Sequence, residues 1–307
     1  MGSATAMLMG LVIYGCAALV ATQAEHFITL LAARAVSAFG IAVGSVVTQT
    51  ILRDVFSGNE LGKVFSLMGM GIAISPVLGM LLGGQLTLVG GYRYVFFALF
   101  ALALVLLVYN VFKLPETQTE KKPVKIMGLG IRMLLDARIW QSALLIAVYN
   151  IALFSYYQLG AFQFSKLGYG AEQFGYSGIV LGIGTLFGSF LNKALLSNRT
   201  PMSTLLWIAA TSMALGAFGV YCLIGSILFV APMMLVVIAF GIAIPNILSV
   251  ALTDYKQEVG SAGALFGLVY YLLIGGGLAL AGTTQHLGVV LVACSVTVAL
   301  VTLFRKA

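Results

Sequence analysis

Apolar runs of about twenty residues recur along the whole chain, at about 5–22, 27–50, 64–88, 92–112, 139–161, 174–195, 202–224, 226–250, 259–281 and 286–304. A helix needs roughly 20 apolar residues to cross the hydrocarbon core, so the pattern predicts ten transmembrane helices. The runs show only weak alternation, and 36 glycines are spread through the chain, which argues against a membrane β-barrel. The fold class is therefore an all-α polytopic membrane protein. Nine further segments follow the first one and residues 1–7 hold no basic side chain, so the first segment does not read as a cleaved leader.

Composition sharpens this reading. Sixty-one per cent of residues are hydrophobic and 8% are charged, and the mean hydropathy is +1.08, far outside the range of soluble domains. A net charge of +7 would suggest nucleic acid if the charges lay together. Instead they alternate by side. Arg53, Lys63, Lys113, Lys121, Lys122, Lys125, Arg132, Arg138, Lys193, Arg199, Lys256, Arg305 and Lys306 fall on the side of the termini, and only Arg93 and Lys166 fall opposite. By the positive-inside rule both termini are cytoplasmic, and no nucleic-acid partner is implied.

Candidate chemistry is sparse. None of the nine Asp and Glu residues falls inside an apolar run. Cys16, Cys222 and Cys294 are scattered through separate runs, with neither metal-ligand spacing nor a disulfide framework, and read as small core residues. His26 and His286 stand at outer helix ends, where solvated histidines are the default. With no acid pair, metal cluster or Ser–His or Ser–Lys constellation in the helices, the chain is not expected to be an enzyme or to hold a cofactor.

Residues 113–138 form one long polar, basic stretch, read as a cytoplasmic linker. It separates an N-terminal bundle of four helices, residues 1–112, from a six-helix bundle, residues 139–307. A short repeat bears on this unequal split. Phe39-Gly40-Ile41-Ala42 recurs as Phe240-Gly241-Ile242-Ala243 at an offset of 201, and Asp54 recurs as Asp254 at an offset of 200. Parallel repeats of this size are a known way of building transporters. Shifting the second bundle back by that offset places two of its helices before Met1. The expected architecture is six plus six, with about 60 residues, two spans and their loops, preceding this chain.

Three motifs then resemble the major facilitator superfamily, and within it the drug:proton antiporters of the Bcr/CflA (bicyclomycin/chloramphenicol resistance) branch. The first is Arg34-Ala-Val-Ser-Ala-Phe-Gly with Arg53-Asp54 at the end of the same run; Ser37-Ala38 stands where that family usually shows Gln-Gly or Gln-Ala. The second is Gly71-Ile-Ala-Ile-Ser75-Pro76-Val-Leu-Gly79, continuing to Gly83 and Gly84, with Ser75-Pro76 in place of the common Gly-Pro. The third is Leu114-Pro115-Glu116-Thr117. The resemblance covers essentially the whole chain, as helices 3–12 of a twelve-helix fold. It implies two bundles rocking about a central cavity and a proton gradient as driving force. It also implies a coupling acid on the absent first helix, a monomer in the bilayer of the bacterial inner membrane, and a small amphipathic substrate. The ten-helix chain is then expected not to transport alone. The alternative is a non-transporting fragment or interrupted-gene product of such a transporter.

Individual residues carry the site expectations. Arg34 lies seven residues into its run, where a charge costs about 2.5–3.5 kcal/mol unless it meets a cavity or a partner. Snorkelling to the outer surface is the bland reading, and an acid on the absent helix is the functional one. Gly71, Ser75, Gly79 and Gly83 recur every fourth residue and form a small-residue stripe beside Pro76, suited to close helix approach and to sealing or rocking between bundles. Gly178, Gly182, Gly184 and Gly188 are candidates for the facing surface. In segment 139–161, Tyr149, Asn150, Phe154 and Tyr157 are the expected substrate wall. Asn150, Phe154, Tyr157 and Ala161 share one helical face, although interfacial aromatics also explain the tyrosines. Asn246, after Pro245, and Tyr270 join that wall, with a packed kink as the alternative at Pro245.

Overall fold

The computed structural model describes residues 3–56, 58–114, 116 and 126–304. The side chains of 49–50, 53–54, 58–63, 65–70, 72–73, 256–257 and 259–260 lie outside that description, so the expected roles of Arg53 and Asp54 lie outside it too.

Every long apolar run is helical: α1 Ser3–Gln23, α2 Phe27–Val55, α3 Gly58–Lys113, α5 Ala137–Lys166, α6 Ala171–Ser197, α7 Met202–Leu223, α8 Val230–Ala251, α9 Val259–Thr284 and α10 Leu287–Phe304. Nine of the described helices are long and apolar enough to cross a membrane. The longest, α3, breaks at Gly90 and Gly91, where the backbone leaves helical geometry. Gly91 takes φ 66°, a left-handed value that favours glycine. A Cβ on Gly90 would lie 1.9 Å from the Tyr94 ring. The two glycines divide α3 at the point between the two spans expected on either side of residue 90. The sequence pattern did not predict α4, Ile126–Leu134, a nine-residue helix inside the linker stretch.

The chain divides into two compact units, Met1–Pro123 and Val124–Ala307. In the first, α1 packs on α2 and on α3 through a face of small residues: Gly10, Gly15, Ala17, Ala18 and Ala21. The crossing with α2 is close, because a Cβ on Gly40 would stand 2.7 Å from the Gly10 carbonyl oxygen. Small residues permit that approach, and in lipid van der Waals packing of this kind drives helix association. The ends are tied as well. The Tyr92 hydroxyl donates to the Ala24 carbonyl at 2.6 Å, and the Ser3 amide donates to Glu116 Oε1 at 2.7 Å.

In the second unit α8 packs against α5, α6 and α7, and α5 packs against α8, α9 and α10. Glycines again set the closest approaches: Gly216 of α7 lies against Pro232 and Val236, and Gly277 of α9 against Ile151. Gly184 and Gly188 of α6 face Met234 and Ile238 of α8. The small surfaces of those two glycines are filled by α8. Toward the Lys166 end of α5, Tyr156, Phe164, Phe174 and Phe229 form an aromatic cluster with ring centroids 5.5–6.2 Å apart. The buried Tyr156 hydroxyl donates to Ser177 Oγ at 2.6 Å.

Candidate functional site

Helix α5 carries most of the candidate wall. Its buried face includes Ala143, Ile146, Ala147, Ala152 and Tyr156, and the opposite face is left open. Asn150, Phe154 and Tyr157 stand half-buried on that open face, and Gln158 and Ala161 extend it as exposed residues. Asn150 Nδ2 donates to the Ile146 carbonyl of its own helix at 2.8 Å, which leaves its oxygen as the available group. The Phe154 and Tyr157 rings lie 6.1 Å apart. The face is thus aromatic with two amides, Asn150 and Gln158, a surface suited to an amphipathic ligand.

Two expected wall residues sit elsewhere. Tyr149 is 1% exposed, inside the bundle behind the open face. Its hydroxyl and that of Ser155 have no hydrogen-bond partner among the described residues. Asn246 is 3% exposed and donates to Asn192 Oδ1 at 2.6 Å and to the Ile242 carbonyl at 2.7 Å. Its side chain therefore ties α8 to α6 instead of lining an open wall, because an amide among apolar helices is satisfied by the nearest polar partner. Asn192, the other half of that pair, went unrecognised in the sequence, where a lone Asn near the end of an apolar run carries no signal. Tyr270 of α9 is half-buried, with its ring centroid 5.5 Å from Phe266 and 4.6 Å from Tyr271.

In the first unit Arg34 is exposed, with its guanidinium carbon 5.8 Å from the centroid of the Phe96 ring. Among the described residues it makes no ion pair. A cation over an aromatic face is a partner that sequence spacing does not reveal. Along α3, Gly71, Ser75 and Gly79 are exposed and Pro76 and Gly83 are half-buried. A Cβ built on Gly71, Gly79 or Gly83 meets nothing within 4 Å. The stripe exists as an open strip of small residues.

A charged cluster closes the terminal-side end of the second unit. Asp136 caps α5: Oδ1 accepts from the Arg138 amide at 2.8 Å and Oδ2 from the Tyr255 hydroxyl at 2.9 Å. Arg138 pairs with Asp254 at 3.3 Å, and Arg132 of α4 pairs with Glu258. Burial of the Tyr255 phenol, with the Asp136 carboxylate beside it, raises its pKa above the ordinary value of 10.0. Asp136, Arg138 and Asp254, with Gln141 and Trp207, border a cavity of about 670 Å³. Among the described residues no His, Cys, Asp or Glu group is arranged to hold a metal ion.

Comparison with known proteins agrees with this architecture. An uncharacterized transporter of Rickettsia bellii is 31% identical over 296 residues, which cover 89% of this chain and 72% of the relative. A bicyclomycin resistance protein homolog of Haemophilus influenzae is 25% identical over 280 residues, 86% of this chain and 69% of the relative. Multidrug resistance protein D of Escherichia coli is 33% identical over 123 residues, 40% of this chain and 30% of that protein. Among solved structures, a bacterial homolog of the human lysosomal transporter Spinster matches with a TM-score of 0.72 at 17% identity, over 97% of this chain and 80% of that one. The xylose transporter of E. coli matches with a TM-score of 0.69 at 14% identity, over 98% and 79%. These structural likenesses carry the fold alone. The profile of the Major Facilitator Superfamily matches residues 1–301, so the chain belongs to that superfamily and is a transporter, not an enzyme.

Proposed function

We propose that the protein is a proton-coupled exporter of amphipathic small molecules, of the bicyclomycin/chloramphenicol-resistance type. It works as a monomer by alternating access in the bacterial inner membrane, with both termini in the cytoplasm. The observation that carries this reading is the open face of α5. Asn150, Phe154 and Tyr157 are half-buried there, while Ile146, Ala147, Ala152 and Tyr156 on the opposite face are buried. A lipid-facing surface would favour aliphatic residues, whereas an amide flanked by two aromatic rings fits an amphipathic guest. The unpaired Tyr149 hydroxyl behind that face adds to it, since a buried orphan costs about 1–3 kcal/mol and a substrate or water group reaching it would offset the cost.

The named relatives in multidrug and bicyclomycin resistance support the substrate class. Arg34 supplies a fixed positive charge on α2, and the α3 stripe with Pro76 supplies a smooth surface against which a helix slides. The proton gradient is the driving force and no cofactor is used.

The test is dye and drug accumulation in an efflux-deficient bacterial host carrying the protein's own gene. Export that a protonophore abolishes is expected, and Asn150→Ala and Tyr157→Ala should weaken it about tenfold with membrane abundance unchanged. Accumulation unaffected by the gene, with the protein present in the membrane, contradicts the reading.

A further inference from the structure

We infer that the cavity at the terminal-side end of the second unit binds an amphipathic ammonium ion, at a site apart from the open face of α5. Four helix ends border it: the starts of α5 and α7 and the ends of α8 and α10. Its volume of about 670 Å³ falls among those of small-molecule sites, roughly 300–1,000 Å³. Asn150 of the open face lies eight residues beyond Ser142 on α5, about 12 Å along the helix axis.

The polar lining calls for a guest. Ser142 and Thr302 are 2% and 8% exposed, and both line the cavity. Neither hydroxyl has a hydrogen-bond partner among the described residues. Thr297, five residues earlier on α10, bonds the Ala293 carbonyl at 2.9 Å, the ordinary way for a helical hydroxyl to be satisfied. Ser142 and Thr302 forgo that bond. A buried hydroxyl without a partner is costly unless a bound group supplies one.

Charge gives the class of guest. Three charged residues line the cavity, Asp136, Arg138 and Asp254. Arg138 pairs with Asp254 at 3.3 Å. Asp136 accepts only from neutral donors, the Arg138 amide at 2.8 Å and the Tyr255 hydroxyl at 2.9 Å. Two carboxylates thus face one guanidinium, and the charge of Asp136 is left for a cation. The Trp207 indole, 42% exposed, stands on the same cavity beside Leu206 and Leu303. An ammonium can bond the carboxylate and the hydroxyls while its apolar body rests on the indole, whose face itself attracts cations. An anionic guest would meet the excess of negative charge, and a hydrocarbon would leave the hydroxyls unpaired. Such an ammonium comes from a free amine or from a phosphatidylethanolamine headgroup of the bilayer.

The experiment uses the complete chain in phosphatidylcholine nanodiscs, with Trp140→Phe leaving Trp207 as its one indole. Phenethylamine is titrated against Trp207 fluorescence, beside phenylacetate and 2-phenylethanol, which carry the same ring with an anionic or a neutral end. A saturable response to the amine alone is expected, and calorimetry on the unsubstituted chain should show the same preference. Asp136→Asn, which keeps a capping side chain on α5, should weaken binding about tenfold, and Ser142→Ala about threefold. No saturable response, or an equal one to all three compounds, overturns the inference. So does binding that survives Asp136→Asn but is lost in Asn150→Ala, because the guest then sits on the open face of α5. Phosphatidylethanolamine in the disc tells the two sources apart: competition assigns the site to the lipid headgroup, and unchanged affinity assigns it to a free amine.

Discussion

The two units differ in how tightly particular helices are surrounded, α5 and α8 in the second against α2 and α3 in the first. Of the apolar stretch of α5, 67% is buried, and 50% of the stretch containing α8; the figures are 17% for α2 and 6% for Ile74–Lys113 in α3. In the second unit, several glycines sit where a neighbouring helix presses on them: Gly188 on the Ile238 backbone, Gly216 on the Pro232 carbonyl, Gly277 on the Ile151 side chain. In the first, Gly10 and Gly40 make one such crossing, while Gly71, Gly79 and Gly83 face open space. The same residue type thus does two jobs. Where a helix is surrounded, glycine fixes a contact and its loss is a packing defect. Where a helix is bare, glycine keeps a surface smooth, and its loss acts on what the surface meets.

Substitutions that add volume separate these jobs most strongly. A Cβ on Gly188 would stand 2.9 Å from the Ile238 backbone, so Gly188→Leu should cost about 3 kcal/mol and lower the thermal midpoint of the purified protein sharply. Gly79→Leu should leave that midpoint within about 0.5 kcal/mol of the parent while reducing transport. Equal melting losses for the two variants would erase the contrast between the units.

The buried amide pair gives the next effect. Asn246→Leu orphans Asn192 Oδ1 and should cost about 1–3 kcal/mol, read by thermal unfolding in detergent. Tyr156→Phe removes the bond to Ser177 and should cost about 1 kcal/mol, with the aromatic cluster retained. In the first unit, Arg34→Gln removes the cation from the Phe96 face and should cost about 0.5–1 kcal/mol in stability. A larger effect of that substitution on transport than on melting would place Arg34 in the mechanism.

The smallest effect is a pH dependence at the charged end of the second unit. The Tyr255 pKa is raised in the folded protein. The stability it contributes is therefore complete below about pH 10, the ordinary tyrosine value, and is lost as the pH rises through the raised one. Tyr255→Phe should flatten the alkaline limb of the melting profile and leave neutral pH little changed.

The fold was largely legible because apolar length alone specifies a spanning helix; the break at Gly90-Gly91 in α3 falls between two of the expected spans. Helix α4 escaped because its nine residues lie within a polar, basic stretch and are too few to register as a span. Contacts between helices were the illegible part. Asn150 and Asn246 look alike in sequence, each the single Asn of an apolar run. One stands half-open on α5, and the other is consumed by Asn192, a partner 54 positions away. Likewise Gly79 and Gly188 differ only in whether a neighbouring backbone is present. Arg34 was conspicuous by its charge, but its aromatic partner, 62 positions on, had no spacing signal.

Transport itself tests the central claim most directly. In an efflux-deficient host, the gene should lower the steady-state accumulation of a cationic amphipathic dye. A protonophore should restore accumulation, and Tyr157→Ala should weaken export about tenfold. If dye accumulation is the same with and without the gene while the folded protein is abundant in the membrane, the account of α5 as a substrate wall is wrong.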